Sequence, residues 1–460
     1  MKIIICGAGQ VGGQIARHLS REDSANQVTV IDNNPALIRR ISDAHDVSGI
    51  TGFASHPDIL EAAGARDADM VIAATQSDEV NMVICQVAHS IFSVPRKIAR
   101  LRSPAYLNAI YSDLYRRAHL PIDVVISPEF AVADAVMQRL AAPAAFDIES
   151  FLDGRAQLLG ISLDSTCAVL NTPLRQLSEL FSTLRAVVVG IRRANRLFVP
   201  EPEDQLYRDD QVYVFSATED LARMMEVFGK DHLEIRRALV IGAGNIGLNV
   251  AQKLESGRNK ARVKVIEANR DRAEVAADAL NRTVVLHGDG LNLELLEEAN
   301  VRHMDAVLAL TDDDKTNILA CVRAKNEGAQ LVIALVNDAS LISLIAPMGI
   351  DAYVNPRSTT VSSILRYVRH GRVKAVYSIG DAEAEVIEVQ VLGTSAITGK
   401  TVRNSDLPEG CLIGLMRKGE KILVPRGDTR IEEGDVLTLF CMREQVNEVE
   451  RLFQVGLDFF

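Results

Sequence analysis

The segment IICGAGQVGGQIA at residues 4–16 returns as VIGAGNIGLNVA at residues 240–251. Gly7 and Gly242 stand 235 residues apart, and the same spacing relates Asp32 to Glu267. Further along, ADMVIAATQSDEVNMVICQVA (68–88) returns as MDAVLALTDDDKTNILACVRA (304–324), one residue later, so that Thr75 corresponds to Thr311. An internal repeat of this length constrains the fold before any single motif does, because each copy must build the same unit.

Each copy alternates short apolar runs with helical patterns. In the first, KIIIC leads into Val11, Ile15 and Leu19 at every fourth residue, and VTVID, MVIAAT, KIARL and VVIS follow; the second repeats this with Ile246, Val250 and Leu254, then VKVIE, AVLALT, VIALV and AYVNP. Continuous apolar strands separated by helices predict a parallel sheet covered on both faces, an α/β Rossmann-like lobe. Behind each lies a smaller α+β piece. LLGISL (158–163) reads as a strand, TPLRQLSEL as a helix, AVVVGIRRANRLFVP as a hairpin and DQVYVFSATEDLARMMEVF as strand then helix, with VIEVQVLG, CLIGLMRKGEKILVP and GDVLTLFCMREQVNEVERLF as the second set. The expected domains are therefore 1–128 and 236–356 for the large lobes, and 140–226 and 374–456 for the small ones. Linkers are expected near RLAAPAAF (139–146), GKDHLEIRR (229–237) and YVRHGRVK (367–374).

Composition removes several classes of partner. A formal charge of −11 argues against a nucleic-acid binder, whose affinity rests on a cationic footprint. No polybasic run suits an anionic membrane surface, and no apolar run approaches the ~20 residues of a bilayer span. MKIIIC runs straight into the glycine loop, which leaves no room for a signal peptide. The six cysteines are scattered without a CxxC pair, as expected of core thiols in a reducing compartment rather than of a disulfide frame or a zinc site.

In Gly7-Ala8-Gly9-Gln10-Val11-Gly12 the glycines permit a tight strand-to-helix turn, approach of backbone to a pyrophosphate, and close helix–strand packing. Gly242-Ala243-Gly244-Asn245-Ile246 repeats the pattern. Asp32 and Glu267 each end the following strand, where a carboxylate accepts hydrogen bonds from ribose hydroxyls and repels a 2′-phosphate; NAD or ATP/ADP is thereby favoured over NADP. Thr75 and Thr311 close the fourth strands. The Asp-rich run after Thr311 suggests a metal at first sight, but N-capping by Thr or Asp of the helices holding Asn81 and Asn317 accounts for it better, and no metal is expected. Arg100 ends the fifth strand, where it would neutralise phosphate, whereas Leu335 takes that place in the second copy. The sites should therefore differ in charge preference and salt sensitivity. Gly52-Phe53-Ala54-Ser55 against Gly288-Asp289-Gly290-Leu291 is a second difference, at the ends of the third strands. No HExxH, GxSxG or serine–lysine arrangement accompanies the loops, so a nucleotide-dependent regulator is favoured, with an NAD-dependent oxidoreductase or a nucleotide-binding scaffold as alternatives.

MKIIICGAGQVGG, SHPDILEAAGARDADM, SDEVNMVICQVA, IARLRSP, VIGAGNIG and the terminal VERLFQ, in this order, resemble the TrkA family, the cytoplasmic nucleotide-binding subunits of bacterial Trk potassium uptake systems. That resemblance implies two RCK (KTN) domains, each a Rossmann lobe plus a small C-terminal lobe. It implies binding of NAD(H) or ATP/ADP, no catalysis, and control of potassium flux through a separate TrkH- or TrkG-type membrane subunit, from a place peripheral to the inner membrane. The family's cofactor residues fall on Gly7, Ala8, Gly9, Gln10, Val11, Asp32, Thr75, Gln76 and Arg100 in the first lobe. In the second they fall on Gly242, Ala243, Gly244, Asn245, Ile246, Glu267, Thr311 and Asp312. Family rings of eight Rossmann lobes imply a homotetramer of this two-lobed chain.

Overall fold

A computed structural model describes residues 1–22, 26–230, 234–257, 260–365, 367, 373–379 and 383–453. The chain opens with β1 (Lys2–Cys6), α1 (Gln10–Glu22), β2 (Gln27–Asp32), α2 (Pro35–Ala44), β3 (Ser48–Thr51), α3 (Pro57–Ala62), β4 (Met70–Ala73), α4 (Asp78–Ser90), β5 (Arg96–Arg100) and β6 (Val124–Ile126), then enters α5 (Pro128–Ala141). The six strands are parallel in the order β3-β2-β1-β4-β5-β6. Ile3, Ile4, Ile5 and Cys6 are all buried because helices cover both faces, which is why β1 shows no polar alternation. The order reverses direction between β1 and β4, opening a crevice at their carboxyl ends.

A small lobe follows: β7 (Ala145–Phe151), β8 (Ala156–Ser162), α6 (Leu174–Leu180), β9 (Ala186–Arg193), β10 (Arg196–Phe198), β11 (Gln211–Ala217) and α7 (Leu221–Val227). Its sheet is antiparallel, in the order β10-β9-β11-β8-β7.

The second large lobe comprises β12 (Arg237–Ile241), α8 (Asn245–Ser256), β13 (Arg262–Glu267), α9 (Arg270–Ala279), β14 (Val284–His287), α10 (Leu293–Glu298), β15 (Ala306–Ala309), α11 (Asp314–Asn326), β16 (Leu331–Leu335), α12 (Ala339–Ile345), β17 (Ala352–Val354) and α13 (Pro356–Leu365). Its order, β14-β13-β12-β15-β16-β17, repeats the first. The last lobe is β18 (Val373–Ile379), β19 (Ala384–Gln390), β20 (Cys411–Lys418), β21 (Lys421–Leu423), β22 (Val436–Met442) and α14 (Val446–Leu452), with strands in the order β18-β19-β22-β20-β21. No described helix is long and apolar enough to cross a membrane.

Two expected linkers carry structure instead. Within 139–146, α5 continues to Ala141 and β7 starts at Ala145; β18 starts at Val373, inside 367–374. Both strands lie at sheet edges, and the middle of β7 is only partly buried, so neither shows the apolar run that marks a central strand. Residues 231–233, most of 367–372, and 454–456 at the end of the expected last domain lie outside the described residues.

The two halves are joined by exchange. Helix α5 leaves the first lobe and buries Val132, Ala133, Val136 and Leu140 among Ala238, Val240, Val250 and Leu254 of the second. Helix α13 returns the favour, placing Val361 and Ile364 among Ile3, Ile5, Ile15 and Leu19. Asp134 and Lys253 form an ion pair across the α5–α8 contact. The small lobes also share one core, in which Phe151, Val189 and Phe215 meet Val386, Leu415 and Phe440. Glycine makes this contact possible: a Cβ on Gly190 would lie 2.6 Å from the Phe440 ring, and one on Gly414 would lie 2.3 Å from that of Phe215. Each small lobe thus offers one bare strand position and one ring to the other.

Candidate functional site

Each crevice begins at its glycine loop. Gly7 holds φ at +110° and Gly242 at +101°, a region L side chains rarely adopt. One turn into the helix, a Cβ on Gly12 would stand 1.9 Å from the Gly7 carbonyl oxygen, and one on Gly247 equally close to that of Gly242. These glycines are needed to bring helix onto strand. Gly9 and Gly244 are different, since a Cβ on either would meet no atom within 4 Å. The space above them is open, at the amino end of a helix whose N–H groups suit an anion.

Asp32 and Glu267 stand where expected and do more than expected. Asp32 Oδ2 accepts the Ala8 N–H at 2.7 Å and Oδ1 accepts that of Asn34 at 2.8 Å. Glu267 Oε2 and Oε1 take the equivalent bonds from Ala243 at 2.6 Å and Asn269 at 2.9 Å. Each carboxylate therefore fixes the loop backbone as well as lining the crevice. Its remaining lone pairs are the ones a ribose would use.

Thr75 and Thr311 abut the loops: a Cβ on Gly7 would lie 3.2 Å from the Thr75 nitrogen, and one on Gly242 3.0 Å from that of Thr311. They are not helix caps. Ser77 caps α4 through the Val80 N–H and Asp313 caps α11 through that of Thr316, since those residues immediately precede the helices. The threonines bond instead to buried asparagines. The Thr75 N–H and hydroxyl donate to Asn81 Oδ1 at 2.9 and 2.7 Å, while Asn81 Nδ2 donates to the carbonyls of Thr75 (3.3 Å) and Arg100 (2.8 Å). Asn317 repeats all four bonds, to Thr311 and to Leu335 O. Asp78 and Asp314, in the first turns of α4 and α11, clamp the loops that follow β5 and β16 by accepting from the Arg102 and Ser103 amides and from those of Asn337 and Asp338. The Asn–Asp pairs shaping the crevice were thus the overlooked residues, and their signal was the repeated placement of Asp and Asn three apart in SDEVN and DDKTN. Gln76 and Asp312 are exposed beside them. Among the described residues no cluster of His, Cys, Asp or Glu is disposed to hold a metal ion.

Arg100 sits partly buried at the end of β5 with its Nε unpartnered. Burial and then Arg102 lower its pKa to about 10, while Glu129 and Asp78 oppose the shift. Glu129, at the start of α5, is itself pushed up by burial. In the second lobe Leu335 is buried, but Arg357 occupies the position of Glu129 at the start of α13. Its charge reaches Asp338, a carboxylate held below the usual range chiefly by the Ser340 amide and hydroxyl. Both crevices therefore carry arginine at the carboxyl edge, from different elements: Arg100 with Arg102 beside it after β5 in the first, and Arg357 at the start of α13 in the second. Phe53, at the end of β3, is exposed and packs on His56, whereas Asp289 in the matching loop accepts the Leu291 N–H.

The chain matches the TrkA-N domain model over residues 3–128 and 238–356, and the TrkA-C domain model over 158–229 and 386–454. It is 45% identical to the Trk system potassium uptake protein TrkA of Azorhizobium caulinodans over 460 residues, covering 100% of both chains. It is 38% identical to that of Halomonas elongata, again with 100% of both covered, and 35% identical to that of Vibrio alginolyticus, with 99% of both covered. Among solved structures it resembles the GsuK RCK domain (TM-score 0.58, 19% identity, 98% of this chain and 94% of that one). It also resembles the GsuK channel bound to NAD (TM-score 0.59, 19% identity, 98% and 78%).

Proposed function

Since this chain belongs to the TrkA family of potassium uptake proteins, we propose that its two crevices bind adenine nucleotides, NAD(H) or ATP/ADP, and that their occupancy regulates potassium flux through a separate membrane subunit. The observation that carries this reading is the pair of open cradles at Gly9 and Gly244. Each has helix amides for a pyrophosphate, a carboxylate at the ribose position, and an arginine at the sheet edge. A fold neighbour, the GsuK channel, is described as bound to NAD.

Exchange of α5 and α13 gives the cradles an output. A ligand that draws the elements of one crevice together moves a helix packed in the other lobe, and the resulting bias equals the ligand's difference in affinity between the two arrangements. We infer further that four such chains close a ring beneath the membrane subunit, so that small changes in each chain add around it. Light scattering of the full chain is expected to give a tetramer; a strict monomer at micromolar concentration removes the ring.

Calorimetric titration with NAD, NADH, ATP and ADP tests the nucleotide reading. Gly9→Asp and Gly244→Asp place a carboxylate in space the fold leaves empty, so each variant is expected to stay folded and to lose one of two binding events. Retention of both events by both variants would refute the assignment. Asp32→Ala is expected to weaken binding at the first crevice by about 1–3 kcal/mol, the scale of hydrogen bonds to a charged group. Arg100→Gln and Arg357→Gln are each expected to weaken ATP about tenfold in their own crevice and to flatten its salt dependence. An unchanged salt slope in either variant takes that arginine off the phosphates.

A further inference from the structure

Cys411 opens β20 and Cys441 lies one residue before the end of β22, and the two are direct cross-strand partners. The adjacent pair carries the ladder bond, since the Met442 N–H donates to Gly410 O at 2.9 Å; the Cys411 N–H turns away to Pro408 O at 3.2 Å. Alternation in an antiparallel ladder makes Cys411–Cys441 a pair without mutual backbone bonds. Facing Cα atoms in such pairs approach to about 4.5 Å, with side chains closer than in the bonded pairs. That separation falls within the range a disulfide spans, about 4.4–6.8 Å. Cys441 is fully buried and Cys411 only half-buried.

The other cysteines supply a contrast inside the same chain. Cys6 and Cys321 are enclosed in the large lobes, and burial pushes both thiols up, that of Cys321 to about 12. Cys85 is equally enclosed, and its thiol donates to Ile98 O at 3.9 Å. Cys167 is buried in the first small lobe. Only the 411–441 pair combines a facing partner sulfur with access from solvent among the described residues.

We propose that Cys411 and Cys441 form a redox pair that closes reversibly to a disulfide when the chain meets a hydroperoxide. The more exposed Cys411, as thiolate, attacks the peroxide; an S–O bond forms, the O–O bond breaks, and the leaving oxygen takes a proton to become an alcohol, or water when the oxidant is hydrogen peroxide. The Cys441 sulfur then attacks the Cys411 sulfenic sulfur, forming S–S and breaking S–O, and its proton departs with the hydroxide as water. Two thiols lose two electrons and one peroxide gains them. A small dithiol reverses the step by exchange. The adjoining Cys411, then burial, push the Cys441 thiol up and keep it neutral until this second step, reinforced by Glu385 and Glu450.

The link would close at the foot of an irregular strand. The β20–β22 register shifts between Ile413 and Met416, and within that shift Gly414 receives Phe215 from the other small lobe. Oxidation therefore tethers the segment that leads directly into the contact between small lobes.

The test uses the full chain treated with hydrogen peroxide, alkylated, unfolded and digested without reductant. Titratable thiols are expected to fall from six to four, with one linked peptide pair containing Cys411 and Cys441, and dithiothreitol is expected to restore six. Cys411→Ser is expected to keep its remaining thiols under the same treatment. Cys441→Ser is expected to stop at a sulfenic acid on Cys411, trapped by a cyclic 1,3-diketone; should that variant not fold, the peptide map of the unaltered chain decides. Absence of the linked peptide, Cys411 oxidised only to sulfinic acid, or a link between Cys411 residues of two chains would each overturn the proposal.

Discussion

Replacing Asn81 with leucine is expected to cost the first large lobe about 3–5 kcal/mol, the sum of several buried backbone groups left without partners. The side chain is fully buried and makes four hydrogen bonds, joining the end of β4 to the end of β5. Leucine keeps the same branched outline but strands the Thr75 N–H and the carbonyls of Thr75 and Arg100. The Thr75 hydroxyl keeps its weaker contact with Ser77 O at 3.3 Å. Loss should be local before it is global, because local segments open at lower free energy than the whole. Hydrogen exchange followed by mass spectrometry is expected to show faster exchange at Thr75 and Arg102 while β12 and β15 keep their protection. Equal protection in variant and parent would show that Asn81 carries no such load.

Phe215→Ala is expected to destabilise the joined small lobes by about 3–5 kcal/mol, the usual range for emptying a buried aromatic site. Phe215 is fully buried, and not by its own lobe alone: its ring fills the space over Gly414 while Phe440 fills that over Gly190. Phe440→Ala is expected to cost as much. The double variant is expected to cost less than the two losses added together, since both residues belong to one shared core and Tyr213, the neighbour of Phe440, can relax into the joint void. Urea denaturation followed by far-UV circular dichroism measures all three. Additive losses would mean two separate cores.

The large lobes were legible because their signals are local. Each strand is a short apolar run, each helix carries its stripe, and the glycine loop needs residues that only glycine can supply; the observed β1, α1, β2, β4 and β5 fall where the pattern places them. The edge strands β7 and β18 were not legible, because a half-covered strand has no obligatory pattern. The crevice was legible in part. Asp32, Glu267 and the glycines announce themselves by position, and Asp313 caps α11 as the Asp-rich run suggested, whereas Ser77 as the cap of α4 depends on the loop path. Arg357 was hidden because its partner position, Glu129, carries the opposite charge, so that aligning the two copies by residue type conceals the cation. The pairing of Cys411 with Cys441, thirty residues apart, depends on strand register and leaves no mark on spacing.

The exchanged helices bear on how such a chain diverges. If α5 and α13 were traded between two identical chains, any substitution in one crevice would appear in both, and a change harmful in duplicate would be purged. Within one chain the partners are always supplied one to one and always unlike. Mutation can then specialise either crevice alone, as Arg100 opposite Glu129 and Leu335 opposite Arg357 already illustrate. The same arrangement forbids separation, for a fragment ending before α13 would expose Ile15 and Leu19, and one beginning after α5 would expose Val250 and Leu254. Carrying both copies in one chain thus gives each half freedom of sequence and takes away its freedom to exist alone.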